Sequence, residues 1–139
     1  MAVRYEWADE SQHILNMYLE EPWTWAQYHE MLAEVMPMLA ATGHPCATVV
    51  NTTRMGPLPK DGSIMQTLLQ VEKEMPENVF ASAIVGSPYI VRVFMEVLMK
   101  LRPRAKSIAL FAGTHEEALA KIDALYQERF PDQQIHVSP

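Results

Sequence analysis

Between Val79 and Leu101 the chain passes from a nearly continuous apolar run, Val79-Phe80-Ala81-Ser82-Ala83-Ile84-Val85-Gly86, through Ser87-Pro88 into a long stretch whose only ionic residues are Arg92, Glu96 and Lys100. A short apolar run bounded by turn residues is a strand buried on both faces, and such strands belong to parallel sheets with helices on either side. This strand is therefore expected in the middle of its sheet. Ser87 offers an N-cap and Pro88 fits the first helical position, where its missing N–H has no intrahelical acceptor to serve. The three charges recur every fourth residue, so one narrow polar line runs down an otherwise apolar helix from Pro88 to Leu101. A sheet covers only one side of such a helix. The other side is expected to meet another protein chain or a second copy of this one, with Val91, Phe94, Met95, Leu98 and Met99 as the candidate contact residues.

The flanking sequence supplies the other elements. Val3, Tyr5 and Trp7 alternate with Arg4 and Glu6, Asp9-Glu10-Ser11 makes a turn, and His13 to Leu19 returns, which is a β-hairpin. Thr24 and Gln27 form a capping box, with Trp23 and Tyr28 placed as a hydrophobic staple. Trp25, Tyr28, Leu32, Val35, Met36 and Leu39 follow at helical spacing, Gly43 closes the helix, and Pro37 is expected to kink its final turns. Pro45 to Asn51 is a further short strand, and Thr52 to Lys60 is a loop containing Gly56, Pro57 and Pro59. Asp61 or its neighbour caps a helix through Ile64, Leu68 and Met75, which Pro76 ends. Arg102-Pro103 stops the long helix, Ser107 to Ala112 is a buried strand, and Thr114 with Glu117 caps a last helix through Leu119, Ile122, Leu125 and Tyr126. Residues 131–139 form a tail, with Gln134 to Val137 as a short edge strand at most. The order β-β-α-β-α-β-α-β-α predicts a single α/β domain over residues 1–139: a mainly parallel mixed sheet of about five strands with four helices, its antiparallel strand coming from the hairpin.

Composition narrows the function. A chain of 139 residues can bury a core without disulfides or metals, and the lone Cys46 within an apolar strand reads as a small core residue in a reducing, cytoplasmic setting. The N-terminus has no apolar leader core, and no apolar run reaches the roughly 18 residues of a membrane span, so membrane insertion is not expected. The net charge of −6 argues against nucleic acid as a partner. The one basic cluster, Lys100 to Lys106, complements the C-terminal dipole of the long helix.

No motif for chemistry stands out. There is no glycine-rich dinucleotide turn and no phosphate loop, and the third strand ends in Asn51-Thr52-Thr53, which gives magnesium no carboxylate. His13, His29, His44, His115 and His136 are scattered without metal-ligand spacing, and Ser63, Ser82 and Ser87 lack a nucleophile-elbow signature. No catalytic residue, cofactor or metal is assigned, and the chain does not read as an enzyme. A small-ligand carrier or sensor is the alternative, with a pocket between the 51–60 loop and the aromatic residues Trp23, Trp25 and Tyr28, bordered by Asn51.

Four features together carry a resemblance: the Trp23-Thr24-Trp25 entry to the first helix, the strand Val49-Val50-Asn51 leading to a loop ending Leu58-Pro59, the Ile84-Val85-Gly86-Ser87-Pro88 turn, and Thr114-His115-Glu116-Glu117-Ala118. Over residues 1–130 the chain resembles the STAS-type domains, in particular the divergent SpoIIAA-like branch of anti-sigma factor antagonists. The resemblance implies right-handed βα units, no catalysis, and a regulatory role through protein–protein contact. It also implies a phosphorylatable serine at the start of the second helix. Here that position reads Asp61-Gly62-Ser63-Ile64, making Ser63 with Asp61 the candidate phosphosite.

Overall fold

Five strands form one sheet in the same order as they occur in the chain: β1 (Val3–Trp7), β2 (Ile14–Glu20), β3 (Cys46–Arg54), β4 (Val79–Val85) and β5 (Ala109–Ala112). This is a computed structural model that describes residues 2–131, so the tail segment Gln134–Val137 lies outside the described residues. β1 and β2 pair antiparallel, and every later pair is parallel. The apolar run at β4 lies between β3 and β5, where its side chains are covered on both faces. Gly86 ends it with φ +68°; a Cβ there would stand 2.7 Å from the Thr53 hydroxyl oxygen, so both the turn and the close approach require glycine.

Successive right-handed crossovers that step the same way across a sheet fall on one face. Accordingly α1 (Trp25–Ala41), α2 (Ile64–Glu74), α3 (Tyr89–Leu101) and α4 (Pro103–Ile108) share a core with Leu15, Met17, Leu19, Val50 and Ile84. α5 (His115–Arg129) follows the last strand and covers the opposite face, packing Ala118, Leu119, Ile122 and Tyr126 on Ala47, Val49, Phe80 and Val85. Neighbouring residues of β2 divide between the two cores, Ile14 in one and Leu15 in the other, as strand alternation demands.

Several local expectations are corrected. Pro103 ends α3 but also occupies the first turn of a helix of its own, since its fixed φ suits that position; the described residues thus form five helices rather than four, and β5 begins at Ala109 rather than Ser107. Ser87 does not cap α3: Pro88 holds the cap position and no side chain bonds the first turn.

The largest correction concerns the face of α3. Val91, Met95 and Leu98, assigned to a partner surface, are at most 7% exposed inside the domain's own core, and Phe94 and Met99 are half-buried. The exposed apolar residues are Tyr89, Ile90, Val97 and Leu101. Arg92 on the polar line lies over the Phe111 ring at 4.8 Å. Helical spacing gives the width of an apolar arc, and only packing against β4 and α2 decides which part of it turns inward.

At the N-terminal ends of the parallel strands, His13 and His44 stack with ring centroids 4.4 Å apart, close to Cys46. Burial, aided by the charge of His44 and opposed by Asp9, pulls His13 below its ordinary value of 6.5. The unfolded chain therefore takes up a proton at His13 that the folded chain resists, and stability falls as pH drops below 6.5. His13→Gln is expected to flatten that part of the dependence of the urea midpoint on pH; an unchanged slope would remove His13 from the account.

Candidate ligand-binding cavity

The site grows from the entry to α1. Thr24 caps the helix through a complete capping box with Gln27, and this fixes the directions of Trp23 and Trp25 on either side of the cap. Both indoles pack edge-on to each other, centroids 4.9 Å apart, and each meets Tyr28 one turn on, at 6.2 and 6.1 Å. Buried indole N–H groups need acceptors. Trp23 Nε1 donates to the Met55 carbonyl at 2.7 Å and Trp25 Nε1 to the Pro59 carbonyl at 3.1 Å, so the aromatic cluster holds the loop after β3.

Asp61 completes the strap. Its carboxylate accepts from the backbone N–H groups of Trp25 at 2.9 Å and Ala26 at 3.1 Å, so it caps α1 rather than α2. Those bonds, the Trp25 one foremost, hold its carboxyl below the ordinary carboxylate range, and a negative charge there also faces the positive end of the α1 dipole. Ser63 is the N-cap of α2, its hydroxyl accepting from Gln66 N–H at 3.3 Å. The two halves of the candidate phosphosite therefore serve different helices.

Between this cluster, the sheet, α2, α3 and α4 lies a partly open cavity of about 110 Å³. Trp23, Trp25 and Tyr28 form one wall, the inner residues Val91, Met95 and Leu98 of α3 another, and Leu68 and Val71 of α2 close it from above. Asn51 is not in the lining. Its side chain turns back to accept from Thr53 N–H at 3.0 Å, and the buried Thr52 reaches the cavity instead, because alternate strand residues face opposite sides of the sheet. Burial pushes the Tyr28 phenol up to about 12, so that wall is uncharged at neutral pH.

Besides the Tyr28 phenol, four polar residues interrupt the apolar lining. Thr52 donates to the Val85 carbonyl at 2.8 Å, Thr67 meets His29 Nε2 at 3.3 Å, Glu72 lies 3.7 Å from Arg102, and Ser82 pairs with Thr48 at 2.8 Å. Sequence reasoning passed over Thr67, Ser82 and the inner face of α3. The available signal was a single hydroxyl within an otherwise apolar stripe or strand, a pattern shared with ordinary core residues.

The strand-end turns Gly86–Pro88 and Gly113–His115 are outside the cavity, which lies against the sheet face and not beyond its edge. Cys46 is buried at the other end of β3, near the hydroxyl of Thr42 at 3.1 Å; burial pushes its thiol up, against the opposing pull of Thr42. That is the environment of a core thiol rather than an activated one. Among the described residues no group of three or more His, Cys, Asp and Glu is arranged to hold a metal ion, and no helix is long and apolar enough to cross a membrane. No family model, curated protein or solved structure matches the chain.

Proposed function

We propose that the chain is a non-catalytic binding domain that holds a small apolar ligand, as carrier or sensor, in the cavity beneath α2 and α3. The observation that carries this reading is the lining: two tryptophans, a neutral tyrosine and aliphatic residues from four helices and the sheet converge on one space. The cavity, at about 110 Å³, approaches the roughly 150 Å³ of apolar cavities that stay dry and bind benzene. Its open side leaves room for a somewhat longer molecule. Trp23 and Trp25 sit in the wall, so tryptophan emission and melting temperature should both respond to a panel of small aromatic and branched aliphatic compounds. A flat response across the panel at millimolar concentration would overturn the reading.

A second reading has its own observation. Among the described residues the four large apolar side chains exposed on the surface, Tyr89, Ile90, Val97 and Leu101, all belong to α3, whose inner face lines the cavity. They support a regulatory docking role of the STAS-like kind, in the cytoplasm, with a protein partner or a second copy as occupant and Ser63 as the residue a kinase would modify. Val97→Glu with Leu101→Glu is expected to reduce the solution mass from dimer to monomer while leaving the fold intact. A wild-type chain that is monomeric across a wide concentration range would refute the homodimer form of this reading.

A further inference from the structure

The chemistry of the ligand follows from one hydroxyl, and this step rests on the cavity being a ligand site. Thr48 and Ser82 sit opposite each other on β3 and β4, in register, with their oxygens 2.8 Å apart. Two hydroxyls joined by one hydrogen bond use one proton and leave one over. Thr48 is fully buried, and among the described residues Ser82 is the one partner of its hydroxyl; if Thr48 accepted, its own proton would be stranded in the core, an arrangement that buried groups avoid. Thr48 is thus the donor. The proton left over belongs to Ser82, the member of the pair that lines the cavity.

Apart from the phenol of Tyr28, a second neutral hydroxyl in the lining, the other polar side chains there are committed elsewhere or carry the wrong charge for an anion. Thr52 spends its proton on Val85, Thr67 is engaged with His29, and the Glu72 carboxylate is held beside Arg102. Among the described residues no cationic side chain lines the space, and Glu72 places negative charge on its wall. A carboxylate or phosphate entering here would lose its hydration, gain no counter-charge and meet a like charge. A plain hydrocarbon would fit, but would leave the Ser82 proton without an acceptor.

We infer that the ligand is an uncharged, mainly apolar molecule carrying one hydrogen-bond acceptor of the carbonyl type, which takes the free proton of Ser82. The apolar body lies between Trp23, Trp25 and the inner face of α3, and the acceptor points at β4.

The test compares acetophenone with α-methylstyrene, which replaces the carbonyl oxygen by a methylene of similar shape, and with benzoate, by tryptophan fluorescence titration on the full chain. Ser82→Ala should weaken acetophenone about three- to tenfold, the worth of one ordinary hydrogen bond, while α-methylstyrene changes less than about twofold. Thr48→Val, which keeps the Ser82 proton, should keep the wild-type response to acetophenone. If Ser82→Ala is poorly folded, Ser82→Ala with Thr48→Val removes both hydroxyls, strands no donor, and should show the same selective loss. Equal loss of both neutral probes, no loss of either, or benzoate binding as tightly as acetophenone would overturn the inference while leaving the cavity a ligand site. Failure of all three probes to bind the wild-type chain would overturn the cavity reading and the inference with it.

Discussion

Met95→Glu is expected to destabilise the domain by about 3–5 kcal/mol, the range for an uncompensated charge placed in a protein interior. Val97→Glu, two residues away on the same helix, should change stability by no more than about 0.5 kcal/mol. Met95 is 6% exposed and packs into the cavity wall, whereas Val97 is 42% exposed. The contrast measures the rotation of α3 about its own axis. Denaturant midpoints of the two single variants check it, and comparable losses would mean that the helix presents a different face to the sheet. Domains of this kind are stable by only about 5–15 kcal/mol, so the first variant should already show a populated unfolded fraction in mild urea.

Trp25→Ala is expected to cost about 3–5 kcal/mol, as large aromatic truncations in cores do. The ring is 5% exposed, touches Trp23 and Tyr28, and donates to the Pro59 carbonyl, so its removal opens the cavity wall and frees the loop strapped across it. Gly62 lies against the same ring, where a Cβ would come within 3.0 Å of it. Trp25→Phe should lose less, because it keeps an aromatic ring there and gives up mainly one hydrogen bond, worth about 1 kcal/mol. Thermal or urea unfolding distinguishes the two, and proteolysis in the 55–61 loop should quicken in the alanine variant before the rest of the chain is cut. Equal stability of wild type and Trp25→Ala would contradict the assignment of this residue as the post that holds the loop.

What could be read before the fold was known divides along the range of the forces involved. The capping box at Thr24 and Gln27 and the Trp23–Tyr28 contact are local, and both are present. The both-faces-buried character of Val79–Val85 is also local in origin, since it is written in consecutive side chains. The hairpin and its antiparallel pairing followed from alternation and a turn. Asp61 illustrates the opposite case. Its sequence position suggests a cap for the helix beginning at Ile64, yet its carboxylate bonds a helix N-terminus 36 residues earlier in the chain, and Ser63 caps the nearer helix. No local pattern distinguishes those two uses.

The site divides in the same way. Trp23, Trp25 and Tyr28 lie close together in the chain around the N-terminus of α1, so their convergence was legible. Asn51 was misplaced by one residue, which in a strand is enough to move a side chain to the other face. Ser82 and Thr48 meet only through the β3–β4 register, which spacing along the chain does not contain. Of the docking residues proposed for α3, Val91, Met95 and Leu98 turn into the core, and Phe94 and Met99 are half-buried.

Methionine methyl groups report directly on the space beneath α2 and α3, proposed as a ligand site. Of the ten methionines, Met55, Met75 and Met95 line the cavity, and the others are distributed elsewhere in the chain. The first measurement is a methyl-detected NMR titration of the chain, labelled at methionine, with acetophenone. Saturable shifts are expected at Met55, Met75 and Met95, with the remaining methyls almost unmoved. No shift at saturating probe, or shifts spread evenly over all the methionines, would contradict that proposal.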